Sequence, residues 1–382
     1  MNNVKVCMIA FSNFNRSMDG SKVRIAKTIA NAGYNVAVLA IKDESTKEYE
    51  ILDGMEVYRT KGNYKFTKFL KILLLALNQK PVVYHAFDLK TLPLAYLVSK
   101  INNSKLIYDS RELNVESVGY RNLPNILKFI MKMIEGFLIK HTAGIIVPSK
   151  PIADTLIKWY DTIKPTVVYN CPPYRKYSKT TVLRDILGID KSKRIVLYQG
   201  IISYGRGLEN LIEASKYMNK NTVVVLIGDG ILKEKLMEYV NKKKLNNKVK
   251  FVNAVPYDEL LNYTMSADIG VIPTQNICLN HYYSAPNKLF EYLMAGLPVA
   301  VSNFPEMKKI VEGYDVGVTF NPDDPKDIAR AINTILSDDQ MYLKMKKNAI
   351  KIAKKIFNWE KESKKILRLY GNALGRGHVR CK

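Results

Sequence analysis

Short apolar runs alternate with helical segments along the whole chain, and this rhythm restricts the fold more than any other feature. The runs lack the period-two alternation of strands that are wet on one face, so we expect strands buried on both faces. Parallel sheets covered by helices contain such strands, which predicts an α/β fold with crossover connections. We predict strands at 4–10, 35–41, 82–86, 105–109, 143–149, 194–200, 222–228, 248–253, 268–273 and 297–302, and helices at 21–32, 124–141, 207–217, 230–244 and 324–337.

A break in this rhythm divides the chain. Two prolines and several polar residues interrupt it at 169–180, and the rhythm restarts at Arg194. Because 382 residues exceed one ordinary core, we predict two Rossmann-like domains, 1–172 and 180–355, followed by an amphipathic helix and tail at 356–382. Ligands of such sheets bind beyond the carboxyl ends of the strands, so a cleft between two facing domains is the expected site.

The charge balance favours phosphate-bearing partners. The sequence has 59 Lys and Arg against 35 Asp and Glu, which gives a net charge of +24. Such a charge suits a nucleotide, a nucleic acid or an anionic bilayer surface. No nucleic-acid-binding module is recognisable, so we expect no nucleic-acid partner and keep a basic nucleic-acid-binding protein only as the non-enzymatic alternative.

The cysteines and the apolar segments bear on the compartment. Cys7, Cys171, Cys278 and Cys381 are too scattered for a disulfide framework or a CxxC metal site, as is typical of proteins in a reducing compartment. The start of the sequence enters a strand pattern without the design of a signal peptide. The longest apolar stretch, 72–77, is shorter than the roughly 20 residues of a membrane-spanning helix. We expect a cytoplasmic protein that is peripheral on the inner face of the cell membrane.

The segment "SAPNKLFEYLMAGLPVAVS" at 284–302 predicts a helix followed by a buried strand. Pro286 suits the first turn of the helix and Gly296 its end. At about 100° per residue, the apolar side chains share one sector, whereas Asn287, Lys288 and Glu291 share another. A solvated Lys–Glu pair is the simple explanation of this polar sector. The alternative is that these side chains bind a ligand.

Polar residues also follow the strands of the first half. The first predicted strand leads to Asp19 and Gly20, where a helix begins and its N–H groups could bind an anion. His85 closes the third predicted strand, Asp109 closes the fourth, and Glu112 follows it. Because neighbouring parallel strands end at the same edge, these titratable side chains are candidates for one site.

Two glycine-rich turns follow strands of the second half. "YQGIISYGRGLEN" contains Arg206 just before a predicted helix, and "LIGDG" contains Gly228 at the end of the next strand. A guanidinium beside a helix N-terminus suits a diphosphate. If the 284–302 helix faces the same edge, Lys288 meets phosphate and Glu291 accepts hydrogen bonds from paired hydroxyls, as in a ribose.

These residues lead to a family. From Cys7 to Trp359 the chain resembles the retaining GT-B glycosyltransferases of glycosyltransferase family 4. The segment 284–302 is the most specific part of this resemblance. The resemblance implies two Rossmann-like domains that face each other across a cleft, with a final helix that crosses back to the first domain. It rests on DGS (19–21), His85, VPSK (147–150), the turn at 198–214, LIGDG (226–230), ADIGVIP (267–273), 284–302 and FNWE (357–360).

The resemblance implies a donor site in the second domain. Arg206 and Lys288 correspond to catalytic cations on the donor diphosphate, and Glu291 to the carboxylate on the nucleotide ribose. Asn287 and Gly228 would lie close to the donor. The donor would be a nucleotide sugar, linked to UDP or GDP and used as a substrate, with no cofactor and no metal.

The first domain would hold the acceptor. His85 corresponds to a catalytic histidine that touches the transferred sugar, and Gly20 to the loop near the donor phosphate. Asp19, Asp109 and Glu112 are the predicted acceptor-binding residues. The implied reaction is retaining transfer to a glycan or lipid-linked acceptor in cell-envelope polysaccharide or glycoconjugate synthesis.

The sequence departs from the family pattern at three places. Tyr283 stands where a second glutamate is common, Ile201 where an arginine follows the glycine, and Arg111 where a histidine precedes the glutamate. These departures affect the contacts to sugar hydroxyls, the number of phosphate-binding cations and the acceptor site, in that order.

Rival enzyme classes explain fewer residues. A metal-dependent transferase usually has a DxD motif, and the sequence contains none. A dehydrogenase would use GxGxxG, which "GRGLEN" matches only in part because its third glycine is Asn210. A nucleotide-sugar 2-epimerase of the same fold is the closest alternative, because it would convert the donor without an acceptor.

Two basic segments are candidates for membrane contact. Residues 61–80 hold five lysines and no acidic residue, and 125–140 is amphipathic with Lys128 and Lys132 on its polar side. Such helices can lie in a bilayer interface. Alternatively, their apolar faces pack on the sheet and their lysines stay in solvent.

Overall fold

The computed structural model of the chain describes residues 4–15, 20–61 and 65–375. Contacts divide the chain into two compact units. Met1–Tyr169 together with Glu362–Lys382 form the first unit, and Asn170–Lys361 form the second.

The first unit is built on an eight-stranded sheet, as far as the described residues show, in the order β3-β4-β2-β1-β5-β6-β7-β8. All neighbouring strands in it are parallel except β3 and β4. The strands are β1 (Lys5–Ile9), β2 (Asn35–Ile41), β3 (Tyr49–Leu52), β4 (Met55–Thr60), β5 (Val83–Phe87), β6 (Lys105–Asp109), β7 (Gly144–Val147) and β8 (Thr166–Val167). The helices are α1 (Gly20–Asn31), α2 (Lys65–Gln79), α3 (Leu92–Ile101), α4 (Asn125–Ile139) and α5 (Lys150–Tyr160).

The second unit has a parallel sheet in the order β11-β10-β9-β12-β13-β14. Its strands are β9 (Arg194–Gln199), β10 (Thr222–Ile227), β11 (Val249–Val252), β12 (Ile269–Ile272), β13 (Val299–Ser302) and β14 (Gly317–Phe320). Its helices are α6 (Val182–Leu187), α7 (Leu208–Ala214), α8 (Lys233–Lys242), α9 (Tyr257–Met265), α10 (Leu279–Tyr283), α11 (Asn287–Met294), α12 (Pro305–Gly313), α13 (Pro325–Ser337) and α14 (Asp339–Lys355). The next helix, α15 (Trp359–Ala373), begins here and continues into the first unit from Glu362.

The apolar runs form the central strands of both sheets, as predicted. Every residue of β5, β7, β10, β12 and β13 is buried. A strand in the middle of a parallel sheet is covered by helices on both faces, so it needs apolar side chains in both directions. The prediction of two Rossmann-like α/β units is confirmed.

An antiparallel hairpin at the edge of the first sheet differs from the prediction of parallel strands. β3 and β4 are joined by Asp53 and Gly54, which have φ angles of 52° and 79°. Two consecutive left-handed residues make a tight hairpin turn, and Asp-Gly is a preferred pair for it. The strand pattern on each side was too short and too polar to be predicted.

The helix of 284–302 ends as predicted and begins one residue later. Pro286 is the N-cap, with extended backbone, and α11 starts at Asn287. The helix ends before Gly296, whose φ is +67°. The apolar sector of α11 is buried, including Leu289, Phe290 and Leu293.

α4 is oriented against expectation. The expected alternatives placed Lys128 and Lys132 in solvent or at a membrane, but both side chains are half-buried. Lys132 Nζ lies 2.8 Å from Glu116 Oε1 and 4.2 Å from the centre of the Trp159 ring. Because these polar contacts lie on the protein side, most of the apolar side chains of α4 are exposed instead.

Candidate functional site

The end of β9 and the turns after it form the floor of the candidate site in the second unit. Gly228 follows β10 with a φ of +146°, and a Cβ atom there would lie 2.0 Å from the carbonyl oxygen of Gly200. The Gly200 amide donates to Ile227 O at 2.9 Å. Only glycine allows the two turns to approach this closely, so the backbone at the carboxyl ends of β9 and β10 is fixed.

Lys288 projects from the first turn of α11 onto this floor. Its Nζ lies 3.8 Å from the centre of the Tyr198 ring and 3.1 Å from the position that a Cβ of Gly200 would occupy. Burial lowers the pKa of the ammonium well below its usual value, and the Arg206 cation lowers it further, while Glu291 opposes the shift. The three predicted side chains Arg206, Lys288 and Glu291 are therefore close enough to interact electrostatically.

His281 joins this cluster, and no sequence pattern singles it out. The side chain is buried, and its Nδ1 lies 3.3 Å from Gln275 O. Burial lowers the pKa of His281 to about 4, and the Arg206 and Lys288 charges contribute to that shift. The imidazole is therefore neutral at pH 7 beside two cations.

Gln199 is the second residue that sequence reasoning missed. It is the last residue of β9, and its Nε2 donates to Glu291 Oε2 at 2.6 Å. Thr264 Oγ1 lies 2.8 Å from Gln199 Oε1, and the backbone N–H of Gln199 donates to the Tyr292 hydroxyl at 3.0 Å. β9 is thus tied to α11 by both its backbone and its last side chain.

Asn287 lies at the start of α11 and is exposed. Tyr283, which replaces the glutamate of the family pattern, ends α10 and packs against the ring of Tyr282 at a centroid distance of 5.4 Å. An aromatic side chain therefore stands where the pattern would have a carboxylate.

His85 in the first unit is not at a strand end, contrary to the prediction. It lies in the middle of β5, paired with Met8 of β1 and Ile107 of β6, and is fully buried. Its Nδ1 lies 2.8 Å from the Tyr370 hydroxyl of α15, whereas its Nε2 has no hydrogen-bond partner. Contact between this ring and a sugar stays a prediction, and it requires a neighbouring group to move.

Asp109 faces the unpaired nitrogen of His85. Its Oδ2 is buried, lacks a hydrogen-bond partner, and lies 3.9 Å from both His85 Nε2 and Arg111 Nη1. The guanidinium of Arg111 also donates to Ser21 Oγ at the start of α1. The structure thus brings the start of α1, the middle of β5 and the end of β6 together within the first unit.

The other predicted residues of the first unit are placed less specifically. Burial raises the pKa of the Glu112 carboxyl. Gly20 starts α1, and a Cβ there would meet nothing within 4 Å, so the fold itself does not require glycine. Asp19 lies outside the described residues.

The architecture of the units defines a class of protein. Sucrose-phosphate synthase from Thermosynechococcus elongatus aligns with a TM-score of 0.80 at 18% identity, over 97% of this chain and 99% of that one. The Anabaena protein HepE in complex with UDP-glucose aligns with a TM-score of 0.78 at 17% identity, over 96% and 99%. The chain has the GT-B fold.

Sequence comparison relates the chain to glycosyltransferases. Residues 179–352 match the model of the glycosyl transferases group 1. An uncharacterised glycosyltransferase from Methanocaldococcus jannaschii is 22% identical over 396 aligned residues, which cover 97% of this chain and 99% of the relative. The chain is a glycosyltransferase, and its residues 179–352 are those that match the group 1 model.

The described residues contain no group of three or more His, Cys, Asp or Glu side chains placed to hold a metal ion. No helix within them combines the length and the apolar character needed to cross a bilayer.

Proposed function

We propose that this enzyme belongs to the retaining transferases of family 4 and uses no catalytic metal. It moves a sugar from a UDP- or GDP-linked donor to a glycan or lipid-linked acceptor, in cell-envelope polysaccharide or glycoconjugate synthesis. The HepE complex shows that one protein of this fold binds UDP-glucose. The proposal extends a donor of that kind to this chain.

One observation carries the proposal: the partly buried ammonium of Lys288 lies within electrostatic range of a second cation, Arg206, in the second unit. The pKa of Lys288 is depressed by burial and by Arg206, and Glu291 offsets this only in part, so a further negative charge would stabilise the two cations. A diphosphate supplies that charge and would restore the pKa. Glu291 lies on the same face of α11, where it would accept hydrogen bonds from the ribose hydroxyls.

The same arrangement suits catalysis. When the sugar leaves the donor, negative charge develops on the diphosphate, and fixed cations in a partly buried site stabilise that charge. Arg206 and Lys288 would provide this stabilisation, with Asn287 and the Gly228 turn near the donor. By analogy with the family, the leaving phosphate accepts the proton of the attacking hydroxyl.

The first unit would supply the acceptor residues. His85, Asp109, Glu112, Gly20 and Asp19 keep the roles that the resemblance gives them. The unpaired His85 Nε2 and Asp109 Oδ2 support this assignment, because buried polar atoms without partners are rare in proteins. A hydroxyl-bearing ligand would satisfy both atoms.

A donor screen tests the proposed reaction. Thermal shift with UDP-, GDP- and ADP-sugars should identify a nucleotide that stabilises the protein. The preferred donor is then incubated with candidate acceptors in the presence of EDTA, and the anomeric configuration of the product is read by NMR. We expect retention and full activity with EDTA. Conversion of the donor without an acceptor would indicate the 2-epimerase instead, and inversion would contradict the proposal.

We further propose that the enzyme binds the inner surface of the cell membrane through α4. Seven of the fifteen residues of this helix are large apolar side chains that are exposed, among them Ile126, Phe129, Met133 and Phe137, which are 57–63% accessible. Phe69 and Leu74 of α2 are also exposed. An apolar surface of this kind is uncommon on a monomeric protein and marks a contact site.

The charges favour an anionic bilayer as the partner. The segments of α2, α3 and α4 contain six lysines, of which Lys132 is paired with Glu116 on the protein side, and one acidic residue, Glu135. Glu135 is buried, where it accepts hydrogen bonds from the hydroxyls of Tyr108 and Tyr160. A second copy of the chain would place equal positive charges opposite each other across a two-fold axis, whereas anionic headgroups complement them.

Vesicle flotation tests this surface. The wild-type protein should float with vesicles of phosphatidylglycerol and phosphatidylcholine, and less with phosphatidylcholine alone. Replacing Phe129, Met133 and Phe137 by Ser should abolish flotation. Ile231→Ser is the matched control, because Ile231 is 79% exposed in the second unit. Flotation that survives the triple change, or a wild-type dimer that the triple change dissociates, would contradict the bilayer as the partner.

A further inference from the structure

The Gln199 side chain forms a relay between two helices of the second unit. Gln199 is 2% exposed and Thr264 is fully buried, so neither is held by solvent. Gln199 Nε2 lies 2.6 Å from Glu291 Oε2 on α11, and Gln199 Oε1 lies 2.8 Å from Thr264 Oγ1 on α9. The relay thus ends on the carboxylate that we assign to the ribose.

The charge of Glu291 fixes the direction of the relay. An ionised carboxylate only accepts hydrogen bonds, so the amide must present its NH₂ group to Glu291 and its oxygen to Thr264. The Thr264 hydroxyl lies 2.8 Å from Leu260 O as well as from Gln199 Oε1. It carries one proton, and donating that proton to Gln199 satisfies the buried amide oxygen.

Without the relay, Glu291 has a competing partner. The Glu291 carboxylate is near enough to Lys288 to raise the pKa of its ammonium. A glutamate side chain has several rotamers, and holding one of them carries an entropy penalty that an anchoring contact offsets. The hydrogen bond from Gln199 anchors the carboxylate to β9 and so competes with a contact between Glu291 and Lys288. A carboxylate accepts about four hydrogen bonds, so one from Gln199 is compatible with two more from a diol.

We propose that Gln199, oriented by Thr264, is the positioning residue that aims the Glu291 carboxylate at the ribose and gives the enzyme its preference for ribonucleotide donors. This inference rests on the proposed function, because it takes Glu291 as the ribose ligand. It adds two residues to the site, and it assigns them a specificity that can be measured apart from catalysis.

Calorimetric titration with UDP and GDP, and with their 2′,3′-dideoxy analogues, tests the proposal. For whichever nucleotide binds, the wild type should prefer the ribose form by at least about tenfold, since hydrogen bonds to charged groups are strong. Gln199→Met should reduce this preference to within about threefold. Thr264→Val should reduce it in the same direction, and Thr264→Ser, which keeps the hydroxyl, should not.

A charge variant separates positioning from packing. Gln199→Glu places two carboxylates side by side, and they can share one proton only at low pH. UDP or GDP affinity should therefore weaken more steeply with rising pH than it does in the wild type, where only the Lys288 ammonium loses its charge. An unchanged ribose preference in Gln199→Met, or in Thr264→Val should the first variant not fold, would overturn the relay while leaving the proposed function intact. A wild type that binds neither nucleotide would refute both.

Discussion

Lys288 and Glu291 in the second unit are partly accessible to solvent, whereas His85 and Asp109 in the first unit are 0% and 3% exposed. The second-unit side chains have defined partners in the protein, such as Tyr198 for Lys288 and Gln199 for Glu291. In the first unit, two buried polar atoms face each other without hydrogen bonds.

The difference suggests two ways of preparing a site. In the second unit the backbone is fixed by close glycine contacts, and the site carries an excess of positive charge. In the first unit, His85 Nε2 and Asp109 Oδ2 lack hydrogen bonds, which a ligand hydroxyl between them would supply. We therefore expect changes in the second unit to affect donor chemistry most, and changes in the first unit to affect stability and acceptor use.

Loss of a second-unit cation should have the largest effect. Lys288→Ala and Arg206→Ala should each lower kcat by about 10²- to 10³-fold, since each removes a charge placed on the leaving diphosphate. Steady-state kinetics with the preferred donor measure this. Lys309→Ala, an exposed lysine of α12, is the control. A change of less than about threefold in both variants would place the chemistry elsewhere.

The glycine turns give a contrast between the units. Gly228→Ala should destabilise the protein by about 3 kcal/mol or more, because the new Cβ would lie 2.0 Å from a carbonyl oxygen. Gly20→Ala should change the free energy of unfolding by less than about 1 kcal/mol, since its Cβ meets nothing within 4 Å. Urea unfolding of both variants measures the difference. Equal losses would show that the floor of the site is not rigid.

His281 should make the second unit sensitive to acid. Its folded pKa, about 4, lies below the ordinary 6.5, so between these values the unfolded chain binds a proton that the folded protein does not. Stability should therefore fall as the pH drops from 6.5 towards 4, by up to about 3 kcal/mol from this residue. His281→Asn should remove that part of the pH dependence, and His141→Asn, an exposed histidine, should not. Parallel slopes for wild type and His281→Asn would contradict the assignment.

The smallest effect is expected for Tyr370→Phe. It removes the hydroxyl that contacts His85 Nδ1 and should lower the free energy of unfolding by about 1–2 kcal/mol. Donor affinity, which the second unit sets in our account, should stay within about twofold of the wild type. Urea unfolding measures the loss of stability, and calorimetric titration with the donor measures the affinity. A tenfold loss of donor affinity would mean that the two sites cannot be treated separately.

The sequence predicts the sheets well because their strands are buried on both faces. A run such as "TVVVLIG" has no other stable environment in a soluble domain. The β3 and β4 hairpin escaped prediction although Asp53-Gly54 is a turn pair. β3 lies at the sheet edge and is partly exposed, and β4 alternates buried with half-buried residues over its first four positions, so neither strand has the apolar run of a central strand.

Periodicity places site residues together only where they share one element, whereas Arg206 was assigned to the site from the turn in which it lies. Asn287, Lys288 and Glu291 lie on one helix, so periodicity places them together. Gln199 and His281 reach the cluster from other elements, and no local pattern reports the distance from β9 to α11.

The orientation of α4 shows a related limit. Amphipathic periodicity defines two faces but not which one the protein covers. Here the buried contacts of Glu135 and Lys132 decide it. Both depend on residues outside the helix.

A crystal structure of the protein with UDP or GDP, whichever binds, tests the central claim most directly. The claim is that Arg206, Lys288 and Glu291 form one donor site in the second unit. We predict a diphosphate within hydrogen-bonding distance of Arg206 and Lys288, with ribose hydroxyls on the Glu291 carboxylate. A nucleotide bound away from these three side chains would contradict the account.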